Sequence, residues 1–500
     1  MTGAPITASE PTEAENTARA EALLDRRWRL LAAGRLVAAR SGRTYADSSP
    51  WTEDVIAEVP DADEQDVVAA VDAAREAAAG WRRTPVRERA RLVEQLADAI
   101  EERAQDFAVL DAIDGGAPVR EMSSDVRVAV GSLRMFAGLA LELKGTTIPA
   151  SENLHYTVRE PYGVAARIVP FNHPFMFAAS KIATPLVAGN ATVLKPPEVA
   201  PLSALLLGEL AAEILPPGVL SILVGDGPAV PRAIVRHPAV RRIGFIGSEP
   251  TGRAIQRDAA DAGVKEVTLE LGGKNALIAC PDTDPLLVAR GAVDGMNFTW
   301  SGQSCGSTSR LLVHESLADE VVAEVVRLLQ GRRIASPLDP TSEQGTVISR
   351  QHYDRILGHI AMARAEGAEV LAGGGPPPGI ERGLFVAPTV LGSVAADSRI
   401  AREEVFGPVL SVIRWKDESD VVAMANSVDY GLTAAVWTDD VRRAHRMAQE
   451  LGVGYVWING TSRHFPGVPF GGVKGSGIGR EESIEELLGY TTVKAVNVML

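Results

Sequence analysis

Apolar and polar positions alternate along this chain in two distinct rhythms, and the change from one to the other marks its elements. Apolar residues at helical spacing predict a helix over 64–79 and a long one over 87–110, both rich in alanine, and a third over 124–143. Residues 28–39 suggest a strand and turn, and 155–159 alternates as a strand until Pro161-Tyr-Gly163 breaks it. Short apolar runs at 164–169, 191–194, 220–224 and 242–246 read as strands. They are separated by helical patterns at 175–187, 202–215, 230–236 and about 251–260. Strand and helix in such alternation predict a parallel sheet covered by helices on both faces. The rhythm restarts after Val267, with strands at 267–271, 276–279 and 310–313. Helices are expected at 285–298, 316–330 and 350–365, then a Gly/Pro-rich loop at 373–379 and further alternation to Ile458. Two α/β lobes joined near residue 270 are expected. No period of 20–50 residues appears, which excludes a solenoid. Residues 1–22, rich in Ala, Thr and Glu, are expected to fray.

Composition narrows the functional classes. At ~150 residues per domain, 500 residues allow about three domain-sized units. The two cysteines, Cys280 and Cys305, exclude a disulfide-stapled scaffold and a multi-cysteine metal site. The formal charge of −14 argues against sequence-independent nucleic-acid binding, which needs a basic surface. No apolar run reaches the ~18 residues of a spanning helix, and the first twenty residues lack the pattern of a signal peptide. A cytoplasmic protein with reduced thiols and no membrane or nucleic-acid partner is expected.

The familiar nucleotide fingerprints are absent or broken. Gly273-Lys274 is followed by Asn275, which lacks the hydroxyl that a P-loop offers to magnesium. Gly225-Asp-Gly227-Pro-Ala-Val230 has two of the three glycines of a dinucleotide fingerprint, and Gly475-Ser-Gly477-Ile-Gly479 is equally weak. Gly247-Ser248 is better placed, between a strand and a helix whose first amides attract phosphate, although an ordinary strand-to-helix turn reads the same way. Gly302-Gln-Ser304-Cys305-Gly306 is the sharpest local signal and is ambiguous. It matches the serine nucleophile elbow through Ser304, but that elbow needs a strand before and a helix after, and the order here is the reverse. It equally presents Cys305 between small residues as a thiol nucleophile, or buries it in a structural turn. Cys280, ending an apolar run, fits a core cysteine better. Glu270 ends an apolar strand before two glycines, a setting that raises a carboxylate pKa and suits a general base, or a plain strand end. Asn172 can cap a helix or donate to an oxyanion. His352 and His359 share a helical face without a third ligand, so no metal site is expected.

Taken in order, Pro170-Phe-Asn-His-Pro174, Leu194-Lys-Pro-Pro-Glu198, Phe245-Ile-Gly-Ser248, Glu270-Leu-Gly-Gly-Lys274, Gly302-Gln-Ser-Cys305, Glu404-Val-Phe-Gly-Pro408 and Pro469-Phe-Gly-Gly472 closely resemble the aldehyde dehydrogenase superfamily. The resemblance runs from about Trp28 to Val498. It implies that Cys305 attacks the aldehyde to give a thiohemiacetal, that Asn172 and the Cys305 N–H hold the oxyanion, and that Glu270 activates water against the resulting thioester. Lys195 and Glu198 match positions at the adenosine ribose, with Lys195 also counted among the catalytic set. Gly227 lies near the adenine, Gly247 and Ser248 at the phosphates, and Glu404 and Phe406 at the nicotinamide ribose and ring. The implied cofactor surface extends to Val169, Pro170, Phe171, Phe245, Gly252, Leu271, Gly272 and His352. NAD is expected over NADP, because a carboxylate at Glu198 repels a 2′-phosphate.

The resemblance also implies a fold: a Rossmann-like cofactor domain (1–140 and 162–270), an α/β catalytic domain (271–481), and a small β oligomerisation element (141–161 with 482–500), hence a homodimer or homotetramer. The chain departs from many relatives at Phe171, where Trp is frequent, and at His173, where an apolar residue is usual. A substrate tunnel lined by His173, Met176, Phe177, Trp300, Ser304, His464, Phe465 and Phe470 would suit an apolar or aromatic aldehyde with a polar handle. Three alternatives stay open: a CoA-acylating enzyme, from which Glu270 would usually be missing, a non-catalytic relative, and a serine hydrolase acting through Ser304.

Overall fold

In the computed structural model, which describes residues 11–500, the short apolar runs become strands buried along their whole length. Val164–Ile168, Ala191–Lys195, Leu220–Ile222 and Ala276–Ala279 expose no residue, as expected where helices cover both faces of a sheet. The first sheet has eight strands, in the order 35–37, 30–32, 220–222, 191–195, 164–168, 240–246, 266–270 and 477–478. Its five central strands are parallel, and 30–32 and 477–478 add antiparallel at the flanks. In chain order the five run third, second, first, fourth, fifth. The winding direction therefore reverses between 164–168 and 240–246, and a crevice opens beyond their carboxyl ends.

The second sheet has seven strands, in the order 369–372, 389–392, 409–415, 310–314, 276–279, 433–437 and 455–458, parallel except for 369–372. The edge strand 477–478 of the first sheet is a return from this later part of the chain, pairing Gly477 with Glu270. Outside both sheets, 154–161 and 491–498 form an antiparallel ribbon from Leu154↔Val498 to Thr491↔Pro161. No helix among the described residues is long and apolar enough to cross a membrane.

Three expected elements differ. The helix over 87–110 is two, Val86–Glu102 and Ala104–Gly115, because Arg103 leaves helical geometry (φ −112°, ψ 20°). The second piece is buried on every side from Phe107 to Asp114, and periodicity cannot report a break in a run that has no solvent face. The helix expected from Ser124 starts at Val119, after Pro118, and ends at Gly138. Residues 13–22 of the 1–22 segment expected to fray belong to the helix Glu13–Leu24, started by a capping box between Thr12 and Glu15, with Asn16, Ala20 and Leu23 buried. The rest of the segment expected to fray, residues 1–10, lies outside the described residues.

Candidate active site

The loop carrying Cys305 is held from all sides. The helix Pro285–Gly295 stops, a single 3₁₀ turn follows at Phe298–Trp300, and the strand Arg310–His314 begins beyond it. This is not the strand–turn–helix that a serine elbow at Ser304 requires. Asn297 and Ser301 take left-handed φ of 54° and 51°, and Gly302 follows at 66°. A Cβ on Gly302 would come within 2.3 Å of the Gly407 carbonyl, so glycine is required there. Ser301 Oγ donates to the Gly345 carbonyl (2.5 Å), Gln303 Nε2 donates to that of Thr346 (3.1 Å), and Gln303 Oε1 accepts from the Ile348 amide (3.0 Å). Asn275 fixes the thiol's own residue, its Nδ2 donating to the carbonyls of Cys305 (2.6 Å) and Ser307 (3.0 Å).

Cys305 is half-buried, and Ser304 beside it likewise. Burial, then the charges of Glu404 and Glu270, push its thiol up to about 12. Glu270 closes the strand Glu266–Glu270, is 5% exposed, and neither carboxyl oxygen has a hydrogen-bond partner. It lies over Gly471, where any Cβ would stand 2.7 Å from Oε1. Burial, reinforced by Glu481, holds Glu270 well above the usual carboxylate range. Asn172 ends the turn after the strand Val164–Ile168, is buried, and leaves Oδ1 without a partner. It shares a small cavity with Phe171, Trp300 and Gln303, so the Asn172 turn and the Cys305 loop meet.

The remaining candidates gather along the crevice of the first sheet. Val169 follows its strand and donates its N–H to the Lys195 carbonyl (3.1 Å), with Pro170 next to it. Lys195 is buried and its Nζ donates to Glu198 Oε2 (2.5 Å). Phe245 and Ile246 lead into Gly247, whose N–H donates to the Glu270 carbonyl (3.0 Å). Exposed Ser248 is the N-cap of the helix Glu249–Ala262, yet its hydroxyl pairs with Thr251 and caps no backbone amide. Gly252 packs that helix onto Leu271, which a Cβ would approach to 2.9 Å. Gly227, at φ +77°, faces open space.

Glu404 accepts from the Gly273 N–H (2.9 Å) and lies so close to Gly272 that a Cβ there would meet Oε2 at 2.0 Å. Burial pushes it up to about 7. Phe406 has a left-handed φ of 53°, and His352 Nε2 donates to its carbonyl (2.7 Å). Burial drives His352 down to about 4, so the ring is neutral. The rings of Phe171, His352 and Phe406 form a triangle with centroids about 6 Å apart.

The expected lining residues divide into two aromatic groups. His173 lies 5.5 Å from Trp300 and 5.6 Å from Phe177, with half-buried Met176 on the same helix start. His464 lies 4.5 Å from Phe470, stacks on Tyr455 at 6.0 Å and pairs with Glu482 (2.9 Å), while Phe465 is 44% exposed. The Cys305 loop spans the two: Trp300 packs with the core of the first sheet, and Cys305 with the core that includes Phe470.

The aldehyde dehydrogenase family model matches residues 36–496. The chain belongs to this family. Aldehyde dehydrogenase tropH of Talaromyces stipitatus is 46% identical over 462 residues, covering 90% of this chain and 89% of that protein. Human retinaldehyde dehydrogenase 3 is 40% identical, covering 92% and 91%. The NAD+ complex of the Bacillus cereus aldehyde dehydrogenase superposes with a TM-score of 0.93 at 38% identity, covering 96% and 98%. The fold of this aldehyde dehydrogenase is thus the one its motifs implied.

Several residues of the site escaped sequence reasoning. Asn275 stood in plain view beside Lys274, but its grip on the Cys305 carbonyl crosses 30 residues and has no local signature. Asp125, which binds His173, and Glu482, which binds His464, are single acidic residues in ordinary surroundings. Only the helix period, which turns Asp125 inward with Met122 and Ala129, offered a sign.

Proposed function

We propose that this enzyme oxidises aldehydes to carboxylic acids with a nicotinamide dinucleotide, NAD in preference to NADP, and that Cys305 forms the covalent intermediates. The observation that carries this reading is the pairing of a thiol on a pinned loop with a buried, unpartnered carboxyl at Glu270.

The residues present fit the cofactor. The crevice at the sheet's switch point is the usual dinucleotide site, and the uncapped amides of Glu249–Ala262 suit a phosphate. Lys195 and Glu198 would hold the adenosine ribose, with Gly227 toward the adenine. Glu404, Phe406 and the Phe171–His352 rings would hold the nicotinamide end. Val169, Pro170, Phe245, Gly252, Leu271 and Gly272 would line the path between. When bound, the nicotinamide supplies the hydride acceptor.

The chain's own residues account for the rest. The Cys305 thiolate attacks the carbonyl carbon, and the oxyanion meets the Asn172 amide and the Cys305 N–H. After oxidation the acyl group is a thioester on Sγ. Glu270, once deprotonated, takes a proton from water, whose oxygen displaces the thiolate and releases the acid. Glu270 argues for water over CoA as acyl acceptor. The two aromatic groups favour an apolar or aromatic aldehyde. The ribbon 154–161/491–498 carries an exposed edge suited to pairing between copies, as a homodimer or homotetramer, and a reducing compartment such as the cytoplasm suits the thiol.

The test is an aldehyde panel assayed with NAD and with NADP, with and without CoA. The expected result is free acid, one NADH per aldehyde, no need for CoA, and kcat/KM about tenfold or more higher with NAD. A CoA requirement, or a preference for NADP, would overturn the corresponding part.

A further inference from the structure

His173 follows Asn172 and occupies the N-cap position of the helix Pro174–Ala188, yet its side chain makes no cap. Instead Nδ1 engages Asp125 Oδ2 at 2.7 Å, from the inner face of the helix Val119–Gly138. The ion pair is largely buried, with 15% and 7% of the two side chains exposed. Among the described residues Nε2 makes no hydrogen bond, although it is not sealed in the protein. The ring is held edge-on to Phe177 and tilted toward Trp300, so its plane and its free nitrogen are fixed. Trp300 adds a second unspent donor, a buried Nε1–H without an acceptor.

A buried imidazole with a carboxylate at Nδ1 and nothing at Nε2 is not needed for packing. An apolar side chain would fill the same space without a buried charge pair, whose desolvation cost often exceeds its Coulombic gain. Burial alone would push His173 down, but Asp125, and beyond it Asp111 on Ala104–Gly115, outweigh that and leave it above its ordinary value. Asp125 is the charged group in contact with it, while burial pushes Asp111 up to about 7 and leaves that carboxyl only partly ionised near neutral pH. The ring is therefore cationic over more of the neutral range than a free histidine, and Nε2 then carries a proton to give.

We propose that His173 is a specificity-determining residue: its Nε2–H donates to an oxygen on the substrate, so that preferred aldehydes carry a carboxylate or an ionised phenol or enol next to an aromatic or apolar body. Asp125 is the positioning residue that fixes the ring. The proposal rests on the aldehyde oxidation argued above and names the polar handle of its substrate.

The experiment measures kcat and KM with saturating NAD for benzaldehyde and for 2-, 3- and 4-carboxybenzaldehyde. The proteins are the wild type, His173→Phe, His173→Gln and Asp125→Asn. At least one carboxylated isomer should exceed benzaldehyde in the wild type. His173→Phe should cut kcat/KM for that isomer about 10- to 100-fold more than it changes kcat/KM for benzaldehyde, and mostly through KM. His173→Gln, which keeps a donor, should restore part of the loss. For that isomer alone, kcat/KM should also fall as pH rises through the titration of His173, and Asp125→Asn should move that fall to lower pH. Equal losses on both substrates in His173→Phe, or no carboxylated isomer preferred by the wild type, would overturn the proposal. No NADH from any aldehyde would instead overturn the oxidation on which it rests.

Discussion

Two clusters of buried ionisable groups lie back to back in this molecule, and they are built on opposite plans. Around Arg167 the charges are paired. Its Nη2 donates to Glu481 Oε1 at 2.8 Å and its Nη1 to the Tyr490 hydroxyl at 2.6 Å. Lys181 Nζ meets Glu481 Oε2 at 2.8 Å, and Glu486 accepts from Thr184 and from the Glu482 amide. Around Cys305 they are not: both oxygens of Glu270, Oδ1 of Asn172 and Nζ of Lys274 lack partners. Glu270 and Glu481 are the same residue type at nearly the same burial. Burial raises both, but Arg167 and Lys181 bring Glu481 down to about 2, whereas Glu270 stays high. A buried polar group left unmatched costs stability. On the proposed mechanism its use is reactivity: once deprotonated, a carboxylate that no hydrogen bond stabilises readily takes a proton from water. The paired cluster holds the frame on which the unpaired one can be tolerated.

The sharpest way to break this contrast is to remove the thiol. Cys305→Ala should lower aldehyde oxidation by about 10⁴-fold or more and leave the fold intact, since it removes a half-buried sulfur from a loop pinned through its backbone. Cys280, fully buried with Met447 4.0 Å from its sulfur, should behave oppositely, Cys280→Ala keeping turnover and losing a little thermal stability. Steady-state rates with thermal melts read both. Loss of activity in Cys280→Ala, or retention in Cys305→Ala, would end the assignment.

Next in size is Glu270→Gln, expected to slow turnover about 10²- to 10⁴-fold while a thioester accumulates on Cys305, visible as a burst of one NADH per active site. In the wild type, both the thiol and the Glu270 carboxyl sit above their ordinary values, and the proposed mechanism uses both deprotonated. The rate should therefore climb as pH rises above neutrality. In Glu270→Gln the limb belonging to hydrolysis should vanish. With benzaldehyde, which lacks the group that His173 would meet, a wild-type profile that falls from pH 7 to 9 would contradict this account of the two groups.

Much of this was written in the sequence, and the part that was not has a physical cause. The parallel strands were legible because burial on both faces leaves unbroken apolar runs, and Cys305, Glu270 and Asn172 stood out as candidates because each sits in a motif with short internal spacing. What supports them was not. Asn275 reaches Cys305 through a backbone carbonyl, which every residue has and no pattern marks. Ser476, whose hydroxyl donates to the Gly272 carbonyl at 2.7 Å, lies 204 positions away from it. The paired cluster joins Arg167 and Lys181 to Glu481, Glu486 and Tyr490, about 300 positions further on, and no local pattern links the two stretches. The break at Arg103 was hidden for another reason: the helix after it buries Asp111 and Asp114 along with its apolar residues, so no solvent face marks its phase.

That paired cluster is where the contrast can be sharpened from the stabilising side. Arg167 is 1% exposed, and Gly244 leaves room for it, since a Cβ there would stand 2.1 Å from Nη1. Arg167→Met strips Glu481 of one of its two cations and leaves a buried carboxylate partly unmatched, a change that costs about 3–5 kcal/mol. The loss should show as a lower apparent melting temperature of the native protein. Glu481 sits below its ordinary value when folded, so its pairing stabilises fully above the usual carboxylate range and fades as pH falls toward about 2. The gap between variant and wild type should accordingly narrow below about pH 4. Its effect on turnover should be smaller but real. The Glu481 backbone exchanges both hydrogen bonds with Phe470, at 3.0 and 2.7 Å, and Gly471, the next residue, is the floor beneath Glu270. Adding Lys181→Met and Glu481→Leu to Arg167→Met removes the remaining buried ion pair as well, so neither charge is stranded, and should recover much of the stability. If the triple variant is no more stable than the single one, the cluster is holding the frame by shape and not by charge.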